Sequence, residues 1–233
     1  MDTQEFLIQN GTLTRFQAPS AGDASYVTAV PHGVKAIGPE AFRDRNDLGA
    51  ITVPGTVEKV GDWAFSGCQR LRSVVMLKGV SVIGDYAFNF CEELSSLILP
   101  SAIRSIGKSA FSGCRSLTSI LLPAGLEAVS DLAFGSCKAL EDVLLPDTVT
   151  RIGKEAFSFC GRLRAIHLPD SVTTIGPGAF SYCYALEKIV IPASVTSIGS
   201  KAFHACRDLT IYGMAGSYAQ QYAAKNKIPF VAI

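Results

Sequence analysis

A strict 23-residue period runs through most of the chain and limits what the chain can fold into. The period is clearest in a phenylalanine that always follows an alanine and occurs as Phe42, Phe65, Phe88, Phe111, Phe134, Phe157, Phe180 and Phe203. All seven cysteines keep the same spacing, as Cys68, Cys91, Cys114, Cys137, Cys160, Cys183 and Cys206. A period of this length is typical of a solenoid, in which each unit buries its apolar face only against its neighbours.

The unit from Leu48 to Leu71 shows what a single repeat predicts. Ile51 and Val53 alternate with small or polar residues, which indicates a strand with one buried side. Pro54 has no amide hydrogen, so the strand should leave its sheet there. The apolar residues that follow at i, i+1, i+4 and i+7 predict a short helix with one buried face, namely Ala64, Phe65, Cys68 and Leu71.

A glycine stands between the strand and this predicted helix. It is Gly61 in this unit, it is kept in seven of the eight units, and Ser130 is the exception. Glycine at a fixed position indicates either a positive φ angle or a backbone too crowded for a Cβ atom.

The stacking of strands against helices predicts a curved molecule. Neighbouring strands lie ~4.8 Å apart, whereas a helix with its side chains is ~10 Å across. The helical side should therefore splay, and the parallel sheet should lie on the concave face.

The repeat pattern LxxIxLPxxVxxIGxxAFxxCxxL, from about Val27 to Leu209, resembles the BspA-like family, the bacterial surface-antigen type of leucine-rich repeat. This resemblance implies a fold of the α/β repeat solenoid class, right-handed and of the leucine-rich-repeat type, with a concave parallel β-sheet and short helices on the convex side. It also implies binding to other proteins or surfaces, and it carries over no catalytic residue.

We interpret residues 1–233 as a single leucine-rich-repeat domain with a cap at each end. Residues 1–25 form the N-terminal hairpin cap around Asn10-Gly11, a pair that suits a type I′ turn. Residues 26–209 form eight repeats. Residues 210–233 form a C-terminal helix–strand cap, with a helix from Tyr218 to Lys225 that Ser217 caps and a strand over residues 228–233.

The first repeat departs from the pattern. Thr28 replaces an aliphatic residue, and Arg45 stands where the other repeats have cysteine. We interpret this as relaxation at the solenoid edge, with a ligand contact by Arg45 as the alternative. Phe42 is accordingly expected to contribute less stability than Phe111 or Phe134.

Composition argues against two classes of partner, nucleic acid because of the charge balance and a membrane because of the length of the apolar runs. With 21 basic and 20 acidic residues the formal net charge is +1, which gives no electrostatic footprint for nucleic acid. No apolar run approaches the ~18 residues that membrane insertion requires. The N-terminal residues do not read as a signal peptide, so the sequence predicts a cytoplasmic location, with a cell-surface or secreted one as the alternative if a signal was removed.

The cysteines are interpreted as small buried thiols and not as disulfides. Side chains in one phase of a stack point in parallel, whereas a disulfide needs facing Cβ atoms ~3.8 Å apart. Free thiols fit a reducing compartment better, although burial would also protect them.

The sequence contains no recognisable catalytic, metal or cofactor motif, and we predict that the protein is not an enzyme and needs no cofactor. His32, His167 and His204 occupy different phases of the repeat. The serines beside each phenylalanine have no partnered base. Cys206 belongs to the repeated column, so its proximity to His204 does not indicate a zinc site.

One outward column of the strands is the candidate binding site. Alternation places one residue per repeat on the concave face between two buried residues, and these residues are mostly aliphatic although they face outward. The predicted partner-binding residues are Val75, Ile98, Leu121, Leu144, His167 and Val190. The column could instead reflect only the preference of strands for aliphatic residues.

Two function classes therefore remain open. The first is a non-enzymatic interaction scaffold that binds a protein or peptide along the concave sheet, with a homodimer as the simplest case. The second is a structural or adhesive repeat segment of a cell-surface protein. The apolar column favours the first.

Overall fold

The structure, a computed structural model, describes residues 6–17 and 26–233. In it each repeat contributes a long strand, a short strand and a run of tight turns. Numbered along the chain, the long strands are β3 (Tyr26–Ala29), β5 (Leu48–Val53), β7 (Ser73–Met76), β9 (Ser96–Ile98), β11 (Ser119–Leu121), β13 (Asp142–Leu144), β15 (Ala165–His167), β17 (Lys188–Ile191) and β19 (Thr210–Gly213).

A short strand of two residues follows each of the first eight long strands. These are β4 (Ala36–Ile37), β6 (Lys59–Val60), β8 (Val82–Ile83), β10 (Ser105–Ile106), β12 (Ala128–Val129), β14 (Arg151–Ile152), β16 (Thr174–Ile175) and β18 (Ser197–Ile198). We call the third side of the coil, which leads from each short strand to the next long strand, the turn side.

Equivalent residues of neighbouring repeats lie opposite each other in parallel ladders. Ile51 of β5 pairs with Val74 of β7, and Val60 of β6 pairs with Ile83 of β8. The side chains of these residues point into one continuous apolar core, in which Val74 and Ile83 are fully buried. A repeating solenoid with parallel sheets, as predicted, is confirmed.

The prediction of short helices on the convex side is wrong. The segment from Ala64 to Leu71 forms tight turns, because Trp63 and Gly67 adopt left-handed backbone conformations (φ 59° and 75°) that an α-helix does not contain. The amide of Ser66 donates to the carbonyl of Trp63 at 3.0 Å, within the repeat, whereas the amide of Gly67 donates to Asn89 of the next repeat at 2.8 Å. The helix-like spacing of apolar residues thus comes from successive turns.

The loss of these helices removes the basis for the predicted curvature. Turn-side segments hydrogen-bond directly to the next repeat, as strands do, so no ~10 Å helix separates them. Concave curvature and right-handed winding therefore stay predictions.

Crowding explains the glycine column. A Cβ atom on Gly61 would lie 2.7 Å from the backbone nitrogen of Pro39, and one on Gly176 would lie 2.6 Å from the carbonyl carbon of Gly153. The described glycines of this column do not have a positive φ. Neighbouring repeats approach so closely here that the short strands can form ladders, and the sequence analysis did not predict those strands.

The structure shows a hairpin near one end of the described chain and a helix followed by a strand at the other, and the division into two caps and eight repeats stays a prediction. The strands β1 (Phe6–Gln9) and β2 (Thr12–Phe16) form an antiparallel hairpin around Asn10 and Gly11, which both have a positive φ. Residues 1–5 and 18–25, which the predicted N-terminal cap also includes, lie outside the described residues. At the other end, the helix α1 (Tyr218–Asn226) precedes β20 (Phe230–Ala232), which pairs in parallel with β19.

The helix α1 has the predicted N-cap, since the hydroxyl of Ser217 accepts the amide hydrogen of Gln220. It ends at Lys227, whose left-handed conformation lets its amide reach the carbonyls of Ala223 and Ala224. Within the described ranges, 6–17 and 26–233, no helix has the length and apolar character needed to cross a membrane.

Candidate partner-binding face

The outward residues of the long strands form an exposed column, which we call the strip. Leu121 is 68% exposed and Leu144 is 61% exposed, whereas their inward neighbours Ile120 and Val143 are 6% and 5% exposed. The contrast follows from strand alternation, with one side chain in the core and the next in solvent. Of the other predicted residues, Ile98, His167 and Val190 are exposed and Val75 is half-buried.

The strand register places the strip residues in three pairs. Val75 lies opposite Ile98, Leu121 opposite Leu144, and His167 opposite Val190. No ladder joins β9 to β11 or β13 to β15 in the described chain, so the pairs lie on separate sheet segments. The structure therefore brings the six predicted residues into one row but divides that row twice.

The column beside the strip is small or polar. Ser96 and Ser119 are exposed, as are Asp142, Ala165 and Lys188. Short side chains do not reach over the aliphatic groups of the neighbouring column, so the centre of the strip stays accessible.

Charged side chains near the starts of the long strands pair with one another. Arg72 lies 2.8 Å from Glu93, and Arg115 lies 3.2 Å from Glu92. Each of these two pairs combines opposite charges and so adds no net charge beside the strip. Exposed pairs of this kind add little stability.

A sequence profile of the BspA type leucine-rich repeat region, which comprises six copies, matches residues 27–141 and residues 127–220. The chain belongs to the BspA-type leucine-rich repeat family. A search of curated protein sequences finds no significant relative of this BspA-type chain.

Two solved structures have the same fold as this BspA-type protein. A leucine-rich repeat protein from Bacteroides ovatus is 20% identical with a TM-score of 0.64, and the alignment covers 98% of this chain and 97% of that one. The leucine-rich repeat protein of Treponema pallidum is 21% identical with a TM-score of 0.62, with 99% and 97% covered. At this level of identity the likeness concerns the fold alone.

Every cysteine of the BspA-type repeats has the same structural contact. The thiol of Cys114 donates to the carbonyl of Phe88 at 3.3 Å, and the thiol of Cys137 donates to that of Phe111 at 3.2 Å, in each case in the preceding repeat. Burial raises the pKa of the Cys137 thiol from 9.0 to about 12, so the reactive thiolate is not formed near neutral pH. The predicted inward orientation is confirmed for six of the seven thiols, and Cys206 is half-buried.

Arg45 has a structural environment at the first repeat. Its guanidinium makes two hydrogen bonds to the carboxylate of Asp47, at 2.7 and 2.8 Å, and lies over the ring of Phe16, 4.7 Å from the ring centroid. The edge interpretation accounts for these contacts without a ligand.

The structure does not bring the three histidines together into a site. His32, His167 and His204 are all exposed and belong to different parts of the coil. Across the residues that the structure describes, no group of three histidine, cysteine or acidic residues is placed to hold a metal ion.

The turn side carries aromatic pairs that the sequence analysis missed. Trp63 stacks on Tyr86 with ring centroids 4.1 Å apart, and Phe159 stacks on Tyr182 at 4.3 Å. Tyr184 is 51% exposed beside the second pair. The signal was present, because the members of each pair are one 23-residue period apart.

Proposed function

We propose that this BspA-type repeat protein is a non-catalytic scaffold that binds a protein or peptide along the strip. The observation that carries the proposal is the exposure of three consecutive aliphatic residues, Ile98, Leu121 and Leu144, at 56%, 68% and 61%. Exposed apolar patches of a few hundred Å² tend to be sites of interaction, and isolated exposed aliphatic residues are not.

The geometry of the strip suits an extended partner. Side chains on paired strands, such as Leu121 and Leu144, follow one another at ~4.8 Å, which gives a narrow apolar row with short side chains such as Ser119 beside it. A peptide or the edge of a folded partner can press alternate side chains against such a row. A second copy of this chain is the simplest candidate, because a net charge of +1 gives little mutual repulsion.

The absence of catalytic function is part of the proposal and has one positive support. The residues that recur in every repeat have a structural use, as the thiol of Cys137 shows by donating to the carbonyl of Phe111. A chemistry that needed one site would not require the same group in each of seven repeats.

The test is the double substitution Ile98→Asp with Leu121→Asp. We expect the protein to remain folded, because both side chains are mostly in solvent, and to lose self-association or partner binding, because a buried carboxylate without a partner is costly. Circular dichroism monitors the fold, light scattering of the purified protein monitors its oligomeric state, and pull-down monitors other partners.

A matched control places two carboxylates on exposed apolar positions of the turn side, away from the strip. Phe90 is 48% exposed and Tyr184 is 51% exposed, so Phe90→Asp with Tyr184→Asp should change neither the fold nor association. Unfolding of the strip variant would contradict the exposure of the column. A folded strip variant that keeps its partners and its oligomeric state would show that the strip is not the binding site and would favour a structural or adhesive segment.

The cytoplasmic location stays a prediction. The thiols do not decide the compartment, because their burial protects them in an oxidising environment as well. Cell fractionation with an antibody against the native protein distinguishes the cytoplasm from the cell surface.

A further inference from the structure

Both sheets are interrupted between the same two repeats in the middle of the molecule. In the described residues no ladder joins β9 to β11, and none joins β10 to β12. At the other interruption, between β13 and β15, the short strands β14 and β16 still pair. We call the interface between the repeat that contains Phe111 and the repeat that contains Phe134 the seam.

Ser130 explains the interruption of the short-strand sheet. On either side of the seam, the amide of Gly107 donates to the carbonyl of Ile83 at 2.9 Å, and the amide of Gly153 donates to that of Val129 at 2.7 Å. A Cβ atom on Gly107 or Gly153 would lie 2.5 to 2.6 Å from backbone atoms of the preceding repeat, a separation that real Cβ atoms do not adopt.

Ser130 carries such a Cβ atom at the equivalent position. Its hydroxyl, and not its amide, donates to the carbonyl of Ile106, at 2.5 Å. The side chain is thus inserted where the two backbones would otherwise meet, and the ladder between Ile106 and Val129 is not formed.

Beneath the long-strand sheet, one inward residue beside the seam is less buried than its equivalents, although Ile120 on the other side is only 6% exposed. Leu97 is half-buried, whereas Val74 and Ile189 of the same inward column are 0% and 1% exposed. Less apolar contact and missing ladder bonds both lower the free energy needed for local opening.

The turn side, in contrast, crosses the seam without interruption. The amide of Phe111 donates to the carbonyl of Ala133 at 2.9 Å, and the amide of Gly113 donates to that of Gly135 at 2.8 Å. The rings of Phe111 and Phe134 are stacked with their centroids 5.5 Å apart.

We propose that the seam is a hinge. Residues 26–117 and residues 118–233 form two blocks that stay joined along the turn side and open on the two sheet sides. Motion of this kind changes the separation of Ile98 and Leu121, which occupy equivalent positions on the two sides of the seam at the centre of the strip. The spacing of the strip therefore depends on the hinge, and a ligand that fits one spacing better shifts the hinge toward it.

The first test measures hydrogen exchange of individual amides in the native protein by NMR. We expect the amide of Ser130 to exchange at least about tenfold faster than that of Gly153, whose bond to Val129 is intact. Ser130→Gly removes the Cβ atom and should slow exchange at position 130 to a rate close to that of Gly153. Ser130→Ala keeps the Cβ atom but loses the hydrogen bond of the hydroxyl, so the amide at position 130 should exchange faster in this variant than in the native protein. Equal rates at Ser130 and Gly153 in the native protein would overturn the proposal.

The second test measures a distance across the seam. Lys59 and Ser197 are exposed, occupy the same position in repeats six periods apart and lie about 29 Å apart at the usual strand spacing. Spin labels on Lys59→Cys and Ser197→Cys report this distance by pulsed electron resonance, and the parent chain without these two cysteines controls for labelling of native thiols. We expect a broad distance distribution that narrows on Ser130→Gly, and an unchanged distribution would contradict the hinge.

Gly153→Ser is the matched control for the double interruption. It places the same side chain between β12 and β14, where β11 and β13 remain paired in the other sheet. Local exchange should become faster while the distance distribution between the labels stays unchanged. If Gly153→Ser broadens the distance distribution further, a break in one sheet is enough to allow motion, and the double interruption at the seam is not what makes the native distribution broad. Neither test involves a partner, so both stand apart from the proposed binding role.

Discussion

Over the part of the chain that the structure describes, the turn side of this solenoid is continuous, whereas the sheet of long strands is interrupted twice. Aromatic rings stack along the turn side from Phe16 to Phe203, with consecutive centroids between 4.7 and 5.6 Å apart. The long strands pair only in separate groups, and their outward side chains lie in solvent.

The difference shows where the sequence is free to vary. On the turn side the repeats supply a ring that stacks and amides that reach the next repeat, and every repeat except the first, which has Arg45, supplies a thiol that donates to a carbonyl such as that of Phe111. An outward strand residue such as Leu121 takes part in none of these contacts. The outward strand residues therefore have no part in the contacts that the turn side repeats along the chain.

The test with the largest expected effect compares the stabilities of Phe134→Ala and Leu121→Ala. Phe134 is 1% exposed and Leu121 is 68% exposed. We expect a loss of about 3–5 kcal/mol in the free energy of unfolding for Phe134→Ala, as for other buried aromatic truncations, and a change within about 0.5 kcal/mol for Leu121→Ala. Urea denaturation followed by circular dichroism measures both, and similar losses would mean that the two sides do not differ as described.

The second test concerns the end of the ring stack. The sequence suggested that Phe42 contributes less than central phenylalanines, but Phe16 of the cap stacks on its outer face with centroids 5.2 Å apart, and Phe42 is 0% exposed. We now expect Phe42→Ala to cost about 3–5 kcal/mol, as Phe134→Ala does. A markedly smaller loss in the same urea experiment would mean that Phe42 does contribute less than the central phenylalanines and that stacking by Phe16 of the hairpin adds little stability at the end of the row.

The smallest effect is a dependence of stability on pH. A thiol titrates at 9.0 in the unfolded chain, whereas burial holds the pKa of Cys137 at about 12 in the folded protein. The folded state keeps the proton over this interval, so the stabilisation is complete below pH 9 and falls as the pH rises toward 12.

Each such thiol contributes a slope of at most about 1.4 kcal/mol per pH unit. Cys137→Ala should therefore flatten the decline in stability between pH 9 and pH 10.5 relative to the native protein. Urea denaturation at a series of pH values measures the two slopes, and identical slopes would show that the thiol ionises equally in both states.

Much of the architecture could be predicted because the period repeats every contact. Once Phe111 and Phe134 are known to occupy equivalent positions, their stacking follows, and so does the inward orientation of Cys137. The hairpin around Asn10 and the helix that begins after Ser217 were also predicted, since turn and cap residues have local signatures.

The predicted helices failed for a physical reason. Apolar spacing in the segment from Ala64 to Leu71 fits a helix, but the same side chains point inward from turns in which Trp63 and Gly67 are left-handed. A pattern of burial does not reveal whether an amide bonds within its own repeat or to the next one. The short strands could not be predicted for a different reason, because two residues are too few to show alternation.

The solenoid, its period, the residues of its core and the outward orientation of the strip could all be predicted without a structure, because each of these follows from spacing along the chain. Three further features could be seen only in the folded protein: the third side consists of turns, the glycine column results from backbone crowding, and both sheets part at the seam. These features depend on the distance between backbones of neighbouring repeats, and that distance is set by packing across 23 residues and not by any local pattern.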